Sequence, residues 1–80
     1  DESVRKDMVK LVNKRKEEAK VSIRNVRRDG NDAARKQKEA GDIAEDQMHT
    51  IEKKIQELTD EYCKKADEMA TTKEKEVMQV

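Results

Sequence analysis

Arg24, Arg27 and Arg28 place three guanidinium groups within five residues, in the run Glu18-Ala19-Lys20-Val21-Ser22-Ile23-Arg24-Asn25-Val26-Arg27-Arg28-Asp29. Arginine stays charged at any physiological pH and offers a planar fork of donors that matches phosphate oxygens. Several forks on one stiff element can hold phosphates at fixed spacing, so the chemistry implied is polyanion binding rather than bond making. The element has to be a helix. At about 100° per residue, Lys20 and Arg28 fall within roughly 40° of Arg24, Arg27 lies about 60° away, and Val26 is nearly opposite. Lys6, Lys10 and Arg35 share the Arg24 face, and Arg5 lies nearer Arg27. The pattern predicts a cationic ridge along the side of the helix away from its core. The plain alternative is a solvated charged face. Tyr62 is the one aromatic residue, so a nucleic-acid partner would be met through shape and phosphate rather than base stacking.

Other residue groups point to chemistry less well. Glu45, His49 and Glu52 share one helical face, as a carboxylate–histidine metal site would, but there is one histidine and no second cluster. They are read as ordinary surface. Cys63 beside Lys64 and Lys65 is read as a structural thiol, Tyr62 as a packed side chain, and Met8, Met48 and Met69 as core fillers. No glycine-rich phosphate loop, nucleophile elbow or zinc spacing occurs. Neither enzymatic activity nor a cofactor, metal or small-molecule substrate is expected.

Composition limits what the chain can build. Only 32% of the 80 residues are hydrophobic and 48% are charged, against roughly 45–50% apolar in an ordinary globular domain. Ala, Glu, Lys, Leu and Arg make up 39 of the 80, with no proline and two glycines, the usage of long helices and coiled coils. The formal net charge is zero, but it is the sum of two opposed halves. Residues 1–38 hold 13 Lys or Arg against 7 Asp or Glu, net +6; residues 39–80 hold 6 against 12, net −6. That split fits a helix facing polyanion beside one facing away, and equally two helices attracting each other. A single cysteine fits a reducing compartment. No apolar run is long enough to span a membrane. The chain does not start with Met, which suggests a mature form or a fragment.

Spacing of apolar residues predicts two rods. Val4, Met8, Leu11, Val12, Ala19, Val26 and Ala33 recur on one side of the first, with Arg15 and Ser22 interrupting. Met48, Ile51, Ile55, Leu58, Tyr62, Ala66, Met69, Lys73, Val77 and Val80 mark a cleaner stripe on the second. The expected architecture is all-α: an antiparallel hairpin with a helix over about 2–38, a turn over about 39–43 and a helix over about 44–79. Gly41 can take the left-handed conformation that ends the first helix, and Asp42 with Glu45 can form a capping box for the second. Gly30, inside the first rod, weakens it by about 1 kcal/mol relative to Ala and predicts a bend or a frayed patch. Two narrow stripes make a poor monomer, so a third helix or a second copy is expected.

The motifs also resemble those of the ribosome recycling factor family, over essentially all 80 residues. Val21-Ser22-Ile23-Arg24-Asn25-Val26-Arg27-Arg28-Asp29 followed by Asn31-Asp32 carries the resemblance most strongly. Ile43 to Asp46, Ile55-Gln56-Glu57-Leu58-Thr59-Asp60 and Lys73-Glu74-Lys75-Glu76-Val77-Met78 extend it. Gly30 stands where the family commonly has Ala, and Ala44 where a Ser cap is usual.

The resemblance implies an L-shaped protein with a long three-helix bundle and a smaller β-rich domain inserted after the first helix. This chain matches the C-terminal part, the second and third bundle helices, with the first helix and the inserted domain absent. It implies that the bundle lies on large-subunit ribosomal RNA across the A and P sites and, with elongation factor G and GTP, splits ribosomes after termination. It carries RNA contact to Arg5, Arg24, Arg27 and Arg28; Lys20 joins them on the helical wheel. The C-terminal helix reads closer to plastid members, so the expected compartment is the plastid stroma, with the bacterial cytoplasm as the alternative. The competing function is a structural coiled-coil module that dimerises, or pairs with protein, through Ile51, Ile55 and Leu58.

Overall fold

The computed structural model describes residues 1–79. Val80, assigned above to the second stripe, lies outside the described residues. Helix α1 runs Glu2–Glu39 and α2 runs Glu45–Met78. The described part measures 61 × 15 × 9 Å. Pairs far apart in sequence, Lys20 with Asp67 and Asn13 with Glu74, show that the helices run antiparallel side by side. The hairpin and its boundaries are therefore as expected, to within a residue or two.

Local chemistry accounts for the ends. Asp1 caps α1, its Oδ1 accepting from the Val4 amide at 3.1 Å, and Glu2 complements the helix dipole in the first turn. At the other end Gly41 adopts φ +82°. The Asp42 amide then donates to the Gln37 carbonyl at 2.9 Å and the Gly41 amide to Lys38 at 3.0 Å. This paired 6→1 and 5→2 pattern satisfies carbonyls that the helix end would leave open.

The expected Asp42–Glu45 capping box is not formed. Asp42 belongs to the close of α1, so α2 starts later, with Ala44 in the N-cap position at φ −83°, ψ 164°. Alanine has no oxygen to offer the first amides. Only the reverse half of a box exists, the Gln47 Oε1 accepting from the Ala44 amide at 2.8 Å.

Packing between the helices corrects a second expectation. The apolar stripe of α1 does not face α2: Val4, Met8, Leu11 and Val26 are half or more exposed, or nearly so, and Ala19 and Ala33 are exposed as well. The face on α2 is instead Val9, Asn13, Lys16, Lys20, Ile23, Arg27, Gly30 and Ala34, all buried or half-buried. These alternate in steps of four and three, as a helix–helix seam requires. Ala34, Thr59 and Ala70 are the fully buried residues, and no large side chain is fully enclosed among the described residues. Thr59 meets its polar need locally, its hydroxyl donating to the Ile55 carbonyl at 2.8 Å. Met8 and Met69, expected as core fillers, are exposed.

Gly30 causes neither a break nor fraying, because α1 is continuous through it. Ile55 occupies the space a side chain would take, its Cδ1 3.0 Å from where a Cβ would sit. Two outcomes follow for stability, measured by chemical denaturation at one fixed chain concentration. Ala44→Ser supplies the missing cap oxygen and raises stability by about 0.5–1 kcal/mol. Gly30→Ala gains helix propensity and asks only the tip of Ile55 to give way, so it stabilises by up to about 1 kcal/mol, whereas Gly30→Leu separates the helices and destabilises.

Candidate nucleic-acid interface

With one face of α1 set against α2, its remaining surface divides in two. One part is apolar and, with α2, forms an open groove. Near its middle the groove is lined by Ile23, Val26, Arg27, Gly30, Ile55, Leu58, Thr59 and Tyr62; further along it is lined by Leu11, Val12, Ala19, Ala66 and Met69 among others. The other part carries Lys6, Lys10, Lys14, Arg24 and Arg28, all exposed. This is the ridge.

The five residues expected to act together do not share one setting. Arg24 and Arg28 are exposed on the ridge. Arg28 donates to the neutral Asn25 Oδ1 at 3.0 Å, which orients the guanidinium and leaves its charge uncompensated. Arg27 is half-buried where ridge, seam and groove meet, its stem lining the groove. Arg5 is half-buried near the start of α1. Lys20 departs from expectation. Its Nζ lies 3.0 and 3.3 Å from the two carboxylate oxygens of Asp67, and its side chain is only 18% exposed. The wheel put it about 40° from Arg24, but toward α2, which the wheel alone could not tell from the outer side.

Ion pairing is partial on both helices, and Lys53, Lys54 and Lys75 of α2 have no carboxylate partner among the described residues. On α2, Lys64, Lys65 and Lys73 each sit within 4.0 Å of a carboxylate on the same helix. On α1, Arg15 pairs with Glu18 at 3.0 Å and Arg35 with Asp32 at 3.1 Å. Lys6, Lys10, Lys14, Arg24, Arg27 and Arg28 have no such partner among the described residues. A row of uncompensated cations repels itself and gains most when an anion lies along it.

Of the remaining candidates, Tyr62, expected as a packed side chain, is instead 49% exposed. His49 lies 3.7 Å from Glu45 and 3.3 Å from Glu52, all on exposed or half-exposed surface, and no group able to hold a metal occurs among the described residues. Tyr62 stands at the groove's lip with the Lys65 Nζ 4.7 Å from its ring centre. Cys63 is free and half-buried. Among the described residues no helix is long and apolar enough to cross a membrane. Sequence reasoning missed Ile23 and Ala34 as seam residues; the four–three spacing from Val9 to Ala34 was the signal, hidden by the Asn, Lys and Arg within it.

The chain is thus an elongated helical hairpin with one cationic edge and one open apolar groove. Comparison with known proteins makes this specific. The family model for ribosome recycling factor matches residues 1–78. The chain is 53% identical over 79 residues to proteins named ribosome-recycling factor from Bacillus thuringiensis (strain Al Hakam), Bacillus cereus (strain B4264) and Bacillus anthracis (strain A0248). In each case the match covers 99% of this chain and 43% of the relative. The chain belongs to the ribosome recycling factor family, and it spans less than half the length of these relatives.

The division of labour on α1 has a direct test in stability. Asp67→Ala leaves the half-buried Lys20 ammonium without its partner and destabilises by about 1–3 kcal/mol. Arg24→Ala removes an exposed side chain and changes stability by less than about 0.5 kcal/mol. Thermal denaturation of both variants at one concentration distinguishes the two roles.

Proposed function

We propose that this chain is the ribosomal-RNA-docking part of a ribosome recycling factor. Arg24 and Arg28 contact phosphates of large-subunit RNA, with Arg27 and Arg5 completing the row. The observation that carries the reading is the unpaired guanidinium ridge of an unbroken 38-residue helix, in a chain of this family. A stiff rod holds its donors at fixed spacing without paying ordering entropy on binding, which suits a structured RNA surface better than a flexible basic tail would. Lys20 is given to the seam instead, because its charge is already engaged by Asp67.

In this reading the bundle lies across the A and P sites, and the longer protein splits ribosomes after termination together with elongation factor G and GTP. The open groove takes a further helix of that longer protein, the first helix of the three-helix bundle. The three Bacillus relatives are bacterial, which favours the bacterial cytoplasm over the plastid stroma as the compartment.

Binding to isolated large subunits, followed by sedimentation across a salt series, tests the RNA face. Arg24→Ala and Arg28→Ala each lower affinity and flatten the log–log salt dependence by about 0.7–0.9 for every phosphate left without its cation, with helicity by circular dichroism unchanged. Lys20→Ala leaves that slope unaltered. If the Arg24→Ala, Arg28→Ala double variant pellets with large subunits as well as the parent chain does, the ridge is not the RNA face.

A further inference from the structure

Asn25 lies beside the ridge at a place where the fold has no use for it. It is exposed and sits well inside α1, where asparagine is among the weaker helix formers. Ile23 and Arg27, two positions to either side, belong to the seam. At about 100° per residue each lies roughly 160° from Asn25, which therefore stands on the side of α1 furthest from α2. Its side chain makes one contact among the described residues, the Arg28 Nη2 donating to its Oδ1 at 3.0 Å. A local choice that runs against helix propensity and serves no packing is the mark of a functional position. We infer that Asn25 is a phosphate ligand in its own right: its oxygen holds the Arg28 guanidinium, and its two N–H donors go to the same RNA phosphate. The inference rests on the ridge being the RNA face and adds a neutral member to it.

Donor and acceptor chemistry fixes the geometry. A guanidinium only donates, so the amide has to turn its oxygen toward Arg28 and its nitrogen away. Among the described residues that nitrogen donates to nothing. The planar amide keeps Nδ2 beside Oδ1, so amide and guanidinium donors stand next to each other. A phosphate, with several acceptor oxygens, accepts from both at once.

A second pair on the same helix shows what the choice of asparagine does. Seven residues further along, the Arg35 Nη2 donates to the Asp32 Oδ1 at 3.1 Å. Spacing, atoms and distance match those of Asn25 and Arg28. The acceptor there is a carboxylate, which compensates the guanidinium charge and has no donor to offer. Asn25 makes the same tether with a neutral group, so the charge of Arg28 persists and two donors are added. Asp29, exposed and about 40° beyond Asn25 on the helix, repels anions on that flank and favours the Arg28 side of the amide.

Binding to isolated large subunits tests the inference. Asn25→Ala lowers affinity about three- to tenfold. It leaves the log–log salt slope unchanged, because no cation is lost, and circular dichroism shows no loss of helicity. In an Arg28→Ala background the same substitution changes affinity by less than about twofold, since the two residues act on one phosphate. Asn25→Asp rebuilds the Asp32–Arg35 kind of pair; it weakens binding more than Asn25→Ala and flattens the slope as Arg28→Ala does. If Arg28→Ala weakens binding but Asn25→Ala does not, the RNA face stands and Asn25 is no part of it. An equal loss from Asn25→Ala with and without Arg28, or an Asn25→Asp variant that binds like the parent, also overturns the inference. If the Arg24→Ala, Arg28→Ala double variant pellets like the parent, the RNA face itself falls and this inference with it.

Discussion

The rotation of α1 about its own axis is the constraint on which the rest of the molecule depends. Helix α1 carries three kinds of surface, and which way each points is set by the contacts along its seam with α2. Two of these are polar and directional: Lys20 to Asp67 at 3.0 Å and Asn13 to Glu74 at 2.7 Å. Between and beyond them the backbones come close because the seam residues are small, Gly30 and Ala34 on one side, Thr59 and Ala70 on the other. A generic apolar seam would tolerate rotation and sliding, since oily contacts have little directionality. Half-buried ammonium and amide groups lose much more when displaced from their partners. Their place in the seam fixes which residues of α1 are left for the outside.

That design explains what could be read from the residues and what could not. Two helices, their antiparallel sense and the Gly41 stop were legible, because apolar periodicity and a left-handed glycine act locally. The identity of the contacting face was not. Periodicity reveals that Val4, Met8, Leu11 and Val26 share a side; it does not say what that side meets. The true seam contains Asn13, Lys16, Lys20 and Arg27, which a search for apolar spacing discards. The Asp42 cap failed for a related reason. Its side chain suits an N-cap, but its amide is taken by the Gln37 carbonyl at 2.9 Å, and a residue that completes one helix end cannot also begin the next helix two positions early. Arg24 and Arg28 are exposed, as expected for residues opposite the apolar stripe.

Net charge shows the same gap between a sum and an arrangement. A total of zero gives no reason to expect a polyanion partner. Glu61, Glu68 and Glu76 of α2 pair with lysines of the same helix and Asp67 and Glu74 meet the seam, while Arg24, Arg27 and Arg28 in the middle of α1 have no carboxylate partner among the described residues. Lys20 directs its charge at Asp67 across the seam. Arg24 and Arg28, four and eight residues further along, have no carboxylate partner among the described residues. The two roles are separated by angle on the helix rather than by residue type.

Arg27 is where these separated functions touch. Its stem lines the groove beside Val26, Gly30 and Tyr62, yet its guanidinium has no carboxylate partner among the described residues. A long side chain laid along apolar surface keeps its charged head in water only while that surface remains open. Whatever covers the groove also lies against Arg27, which lines it. Covering the groove therefore also bears on where the third guanidinium stands relative to Arg24 and Arg28. Closure of the apolar side and completion of the charged side are two consequences of one packing event.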